Sequence, residues 1–145
     1  LYGGVPIRLK SLSLDPTASI ARSSVADVYK QILSDLADAS KLLPAKPALK
    51  GRASQGAALS LLGKVYLTQK NYAAASSTLK QVTSLGYALN ANYKDNFDPA
   101  KKNGVESIFE VQYQGGNDLG EQSNFMYLFA PRLSAGAVTG FANTT

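Results

Sequence analysis

The sequence predicts a mainly α fold of antiparallel helix pairs joined by long loops, with one short β segment. Three observations predict it. Residues 51–85 read as two short amphipathic helices with punctuated ends, residues 24–44 carry one apolar helical stripe, and Ser107–Tyr113 alternates as a strand does.

The first helix lies in SSVADVYKQILSDLADASKLLP. Val25, Val28, Tyr29, Ile32, Leu36, Ala39 and Leu43 recur at helical spacing and form its buried stripe. Ser24 with Asp27 three residues on is a capping box, and Pro44 ends the run because it supplies no amide hydrogen.

The stretch GRASQGAALSLLGKVYLTQKNYAAASSTLKQVTSL follows. Set on the tetratricopeptide pattern, Leu59 takes the tryptophan slot, while Leu62-Gly63, Tyr66 and Ala75 occupy their expected places. Leu79 stands in for the aromatic and Tyr87 for the proline. Glycine within a helix costs about 1 kcal/mol against alanine, so Gly63 points to close helix approach, with Ala75 as its small counterpart. Lys70-Asn71 makes the turn, Asn71 caps the next helix, and Gly86 suits the left-handed residue beyond a helix end. Residues 24–43 fit as the second helix of an earlier repeat, with Ile32, Leu36 and Pro44 at the alanine, aromatic and proline slots. An ordinary helical hairpin without repeat ancestry is the alternative.

Beyond Gly86, turn residues dominate until Ser107–Tyr113. There Phe109, Val111 and Tyr113 would share one face of a strand, ended by Gly115-Gly116-Asn117. Residues 119–145 are rich in glycine, serine and asparagine and read as a long loop or docking segment. The domain reading is therefore a single domain over 1–145, with a helical-repeat core at 24–86 and a loop-rich region at 87–145. Two repeat-like units are fewer than the roughly three that bury a solenoid's faces. The chain reads as a fragment of a larger protein whose other segments cover its apolar helix surface.

Composition narrows function. With 45% apolar residues the chain supports a core, and it contains neither cysteine nor histidine. Disulfides, cysteine nucleophiles, histidine bases and the usual zinc sites are thereby excluded. The net charge is +5, and no acidic residue falls between Asp38 and Asp95, whereas Lys41, Lys46, Lys50, Arg52, Lys64, Lys70, Lys80 and Lys94 do. That is a solvated face or a surface for an acidic partner. Nucleic acid is disfavoured because Tyr66 and Tyr72, which would have to stack on bases, fall at positions expected to be buried.

Catalytic patterns are lacking. Ser54 lies one residue too far from Gly51 for a nucleophile elbow, and no phosphate loop or dinucleotide fingerprint occurs. Glu106 and Glu110 would stand about 13 Å apart along a strand, beyond the spacing of glycosidase pairs. Asp95, Asn96 and Asp98 could offer oxygens to calcium, but without EF-hand spacing. The chain is read as a non-enzyme without cofactor or metal.

The succession YGGVPIRL, RSSVADVYKQILSDLADA, GRASQGAALSLLGKVYL, LGYALNANYKDNF and ESIFEVQY resembles the SusD/RagB family of Bacteroidetes outer-membrane nutrient-binding proteins, from Tyr2 to Tyr113. The resemblance implies an all-helical, tetratricopeptide-like surface lipoprotein that is no enzyme. Such a protein binds oligosaccharides or other nutrients and caps a SusC-like TonB-dependent transporter at the outer membrane. It also implies a lipid-bearing N-terminal cysteine as the only membrane attachment, which this sequence does not include. Sugar recognition uses aromatic rings with amide and guanidinium donors. The richest such mixture is Asn117, Asn124, Phe125, Tyr127 and Arg132, against the alternative that Phe125, Tyr127 and Phe129 bury one side of an extended segment. A helical-repeat adaptor holding a peptide in its groove is the second reading. It would show accessible polar side chains around Lys64 and Gln69, whereas a nutrient binder would cover its helices with irregular segments.

Overall fold

Each helix begins where a side chain satisfies its first free amide. In the computed structural model, which describes residues 2–9 and 21–113, α1 runs Val25–Leu42, α2 Gln55–Thr68 and α3 Tyr72–Thr83. Ser24 accepts from the Asp27 amide at 3.1 Å and donates its hydroxyl to the Asp27 carboxylate at 2.6 Å. Ser54 and Asn71 cap α2 and α3 by accepting from Ala57 and Ala74 at 3.1 and 3.2 Å. Such caps contribute about 1 kcal/mol each.

The α2–α3 turn runs through Gln69, Lys70 and Asn71, around the Lys70-Asn71 pair that the sequence assigns to it. Lys70 adopts φ 60°, and the Asn71 amide donates to Tyr66 O at 2.9 Å while Lys70 donates to Leu67 O at 3.0 Å. These paired bonds are a Schellman motif, built on lysine where glycine is usual. Past α3, Gly86 takes φ 87°, as expected of a residue beyond a helix end.

Helix α2 packs against α1 on one side and α3 on the other. The buried apolar residues accordingly belong to this pair: Ala58, Leu59 and Leu62 of α2 and Ala75 and Val82 of α3. Helix α1 has no buried residue, and its stripe is half-covered at Val28, Tyr29, Ile32, Leu36 and Ala39. The described residues form the mainly α fold that the sequence predicts.

Four details differ from the sequence reading. The partner of Gly63 is Leu79, one turn beyond Ala75: a Cβ at Gly63 would lie 2.6 Å from Leu79 Cδ2. Ala75 is itself buried in the same helix pair. Tyr72, expected inside, is 65% exposed because it opens α3 at the edge of the pair. Tyr66 is half-buried. Ser107–Tyr113 pairs with no other segment as a strand among the described residues, and alternation without a hydrogen-bonded neighbour leaves it irregular.

Packing divides the chain into two units, 1–110 and 111–145. Among the described residues, the first contains α1, α2, α3 and two short 3-10 turns at Tyr93–Phe97 and Pro99–Lys101.

Candidate functional site

The longest-range order in the helical unit comes from segments folded back onto it. Near the N-terminus, Arg22 donates from Nε to Gly4 O and from Nη2 to Tyr2 O at 3.1 Å, and the Ser23 amide donates to Val5 O at 3.1 Å. Gly4 is required there, because a Cβ would collide with the Ser23 carbonyl. This strap, with Val28 and Ile32 of α1 and Leu61 and Val65 of α2, lines an open cleft of about 460 Å³.

A second fold-back starts at Tyr87. Its ring lies over the first turn of α2, where a Cβ on Gly56 would stand 2.5 Å from the phenol oxygen. The same hydroxyl is 3.3 Å from Ser54 Oγ, and Ser54 also donates to Ile108 O at 3.4 Å. Ser54 is thus a buried cap and tether, which accounts for a serine that only superficially resembles a nucleophile. Gln55 joins the same corner to α1, donating its amide to Pro44 O at 3.0 Å and Nε2 to Ser40 O at 2.9 Å.

The return segment is braced by carboxylates. Glu106 accepts from the Asn90 amide at 2.9 Å and Asn96 Nδ2 at 3.1 Å. Donation first from the Asn90 backbone and then from Asn96 holds its carboxyl below the usual range. Glu110 accepts the Asn103 amide through both oxygens at 3.2 Å. Lys101 pairs with Asp95 at 2.8 Å, and this hydrogen bond raises the lysine's pKa. The candidate calcium oxygens are therefore engaged elsewhere: Asp95 with Lys101, Asn96 with Asn90 and Glu106, and Asp98 with the Ala100 amide at 2.9 Å. No group of three or more metal-ligating side chains occurs among the described residues.

Between the Ala45–Arg52 loop, Tyr87 and residues 103–110 lies a cavity of about 410 Å³, with Lys46, Lys50 and Arg52 on its wall. A more apolar groove of about 560 Å³ runs along Leu36, Ala39 and Leu43 of α1 and its C-cap, Ala57 and Leu61 of α2, and Phe109. Both volumes suit small ligands. The residues expected to bind sugar, Asn117, Asn124, Phe125, Tyr127 and Arg132, lie outside the described residues. The Tyr87–Gly56 contact and the Glu106 bracing were missed in the sequence, where only the substitution of Tyr87 for the repeat's proline hinted at either.

Comparison with known proteins adds a family. The SusD-like model described as starch-binding, associating with the outer membrane, matches residues 1–67. A SusD-like protein of Bacteroides fragilis is 36% identical over 80% of this chain and 24% of its own, with a TM-score of 0.72. A SusD-like carbohydrate-binding protein of the same species is 30% identical over 78% of this chain and 23% of its own, with a TM-score of 0.71. A laminarin-binding SusD-like protein is 34% identical over 77% of this chain and 26% of its own, with a TM-score of 0.70. The chain thus spans about a quarter of the solved structures it matches. No curated protein matches it.

Proposed function

Because the chain belongs to the SusD/RagB family of SusD-like proteins, we propose that it is part of a non-catalytic surface lipoprotein that binds oligosaccharide at the bacterial outer membrane. In this reading it delivers the glycan to a SusC-like TonB-dependent transporter. The carrying observation is the likeness of its helical unit to a laminarin-binding relative. The fold-back of residues 87–110 supports the same reading. Tyr87 covers the start of α2 and Ile108 is tied to Ser54, so the helices serve as a scaffold overlaid by irregular segments. Lys64 and Gln69 are exposed, as an adaptor would require. A further tandem repeat, its other requirement, is lacking among the described residues, where α1 to α3 are followed only by 3-10 turns. No helix of the described residues is long and apolar enough to cross a membrane.

In this proposal Phe125 and Tyr127 stack on apolar pyranose faces, while Asn117, Asn124 and Arg132 bond the hydroxyls. Calorimetric titration with laminarin oligosaccharides should give saturable binding, weakened about tenfold or more by Tyr127→Ala, which removes one stacking surface. Unchanged affinity in that variant would discard the assigned residues, and failure to bind any glycan would discard the glycan reading.

A further inference from the structure

We infer that the cavity walled by Lys46, Lys50 and Arg52 is an anion-selective subsite for the carboxylate or sulfate of an acidic saccharide. The inference rests on the glycan reading above and narrows its ligand class. The cavity holds about 410 Å³, within the range of small-molecule sites.

Its charge is one-sided. Three cations line it against one carboxylate, Glu110, whose two oxygens both accept the Asn103 amide. Lys46, Lys50 and Arg52 make no ion pair among the described residues; the two pairs there are Asp38–Lys41 and Asp95–Lys101. The sequence supplies no nearby alternative, because no acidic residue falls between Asp38 and Asp95. All three are solvent-exposed on the wall of one concave surface, so their summed positive field favours an entering anion.

The walls are also held in place. The cationic loop is fixed at one end by the Leu43 amide on Ala39 O at 2.9 Å and at the other by the Gln55 amide on Pro44 O at 3.0 Å. Gly51 turns it at φ 82° between Lys50 and Arg52. Opposite, Tyr87 is seated over Gly56 and beside Ser54. A guanidinium among ammonium groups suits planar carboxylate and tetrahedral sulfate alike, since both accept charge-assisted hydrogen bonds. Neutral hydroxyls would leave the three charges uncompensated.

The test titrates the full chain, at about 20 and about 150 mM salt, with oligogalacturonate, a sulfated oligosaccharide, a neutral laminarin oligosaccharide of equal length, and inorganic sulfate. Surface charge is screened over about 8 Å at the higher salt. An acidic sugar should bind about tenfold or more tighter than the neutral one, and its advantage should shrink with salt. Arg52→Gln and Lys50→Gln should each move the acidic-to-neutral affinity ratio toward one without changing the far-ultraviolet dichroism spectrum. Preference for oligogalacturonate or for the sulfated sugar identifies the anion. If neutral sugar binds and the acidic sugars bind no better, the subsite falls and the glycan reading stands. If no sugar binds, both fall. If inorganic sulfate binds as tightly as the sulfated sugar, the saccharide assignment falls.

Discussion

A Cβ built at Gly63 would stand 2.6 Å from Leu79 Cδ2 and 2.7 Å from its Cγ, so one hydrogen atom sets how closely α2 and α3 approach. Two effects oppose each other in Gly63→Ala. The helix gains about 1 kcal/mol of backbone propensity, while overpacking costs roughly 1–3 kcal/mol. Leu79 is only half-buried and can give way in part, so the net expectation is a loss near 1 kcal/mol. The sign should reverse once the obstructing side chain is removed: in a Leu79→Ala background, Gly63→Ala should be neutral or stabilising. Urea unfolding of the four proteins in this cycle measures the coupling. Simple additivity would mean that Leu79 is not what confines position 63.

Among the elements, α2 carries the fold. It contributes Gly56, Ala58, Leu59, Leu62 and Gly63 to the buried set, whereas α1, although longer, contributes none. Its C-terminal end is well hydrogen-bonded through the Tyr66 and Leu67 carbonyls, yet Lys70 must hold φ 60° to make those bonds. For an L-residue with a Cβ, that left-handed conformation costs roughly 1–2 kcal/mol. Lys70→Gly removes the penalty but enlarges the freedom of the unfolded chain, which takes back part of the gain. The variant should be about 0.5–1 kcal/mol more stable than the parent, while Lys70→Ala, which keeps the Cβ, should be close to neutral. Thermal melts of the three proteins distinguish the backbone effect from mere loss of a surface charge, since both substitutions delete the ammonium.

At the scale of the whole molecule, what could be read in advance was what neighbouring residues decide. Ser24 and Asn71 accept from backbone amides three positions on and Gly86 supplies its own left-handed φ, so these helix ends follow from short strings of sequence, whereas the cap at Ser54 was not read there. Tyr87 over Gly56, 31 positions distant, and Glu106 bracing Asn90 and Asn96 depend on how the chain returns, and no periodicity encodes that. The alternation at Ser107–Tyr113 indicated an extended backbone but could not supply a partner strand, and the cavity's cations appeared in sequence only as a stretch without acids. The return segment gives the molecule a specific acid response. Ionised Glu106 is the acceptor for both asparagines, and its folded pKa lies below the ordinary 4.5. Its contribution to stability is therefore fully present above about pH 4.5 and is lost as pH falls through the folded value, where protonation weakens the acceptor. Lys101 has the opposite sign: its raised pKa stabilises below 10.5, and that contribution is lost as pH rises through the folded value. Between these limits both contributions are constant. Acid also adds positive charge to a chain already at +5, which destabilises parent and variant alike and so cancels in their difference. In denaturant titrations followed by tyrosine fluorescence from about pH 2.5 to about pH 8, Glu106→Gln should be less stable than the parent by a constant margin above pH 4.5, and the margin should close in acid. A margin that persists unchanged to the lowest pH would mean that the ionised carboxylate does not hold the return segment in place.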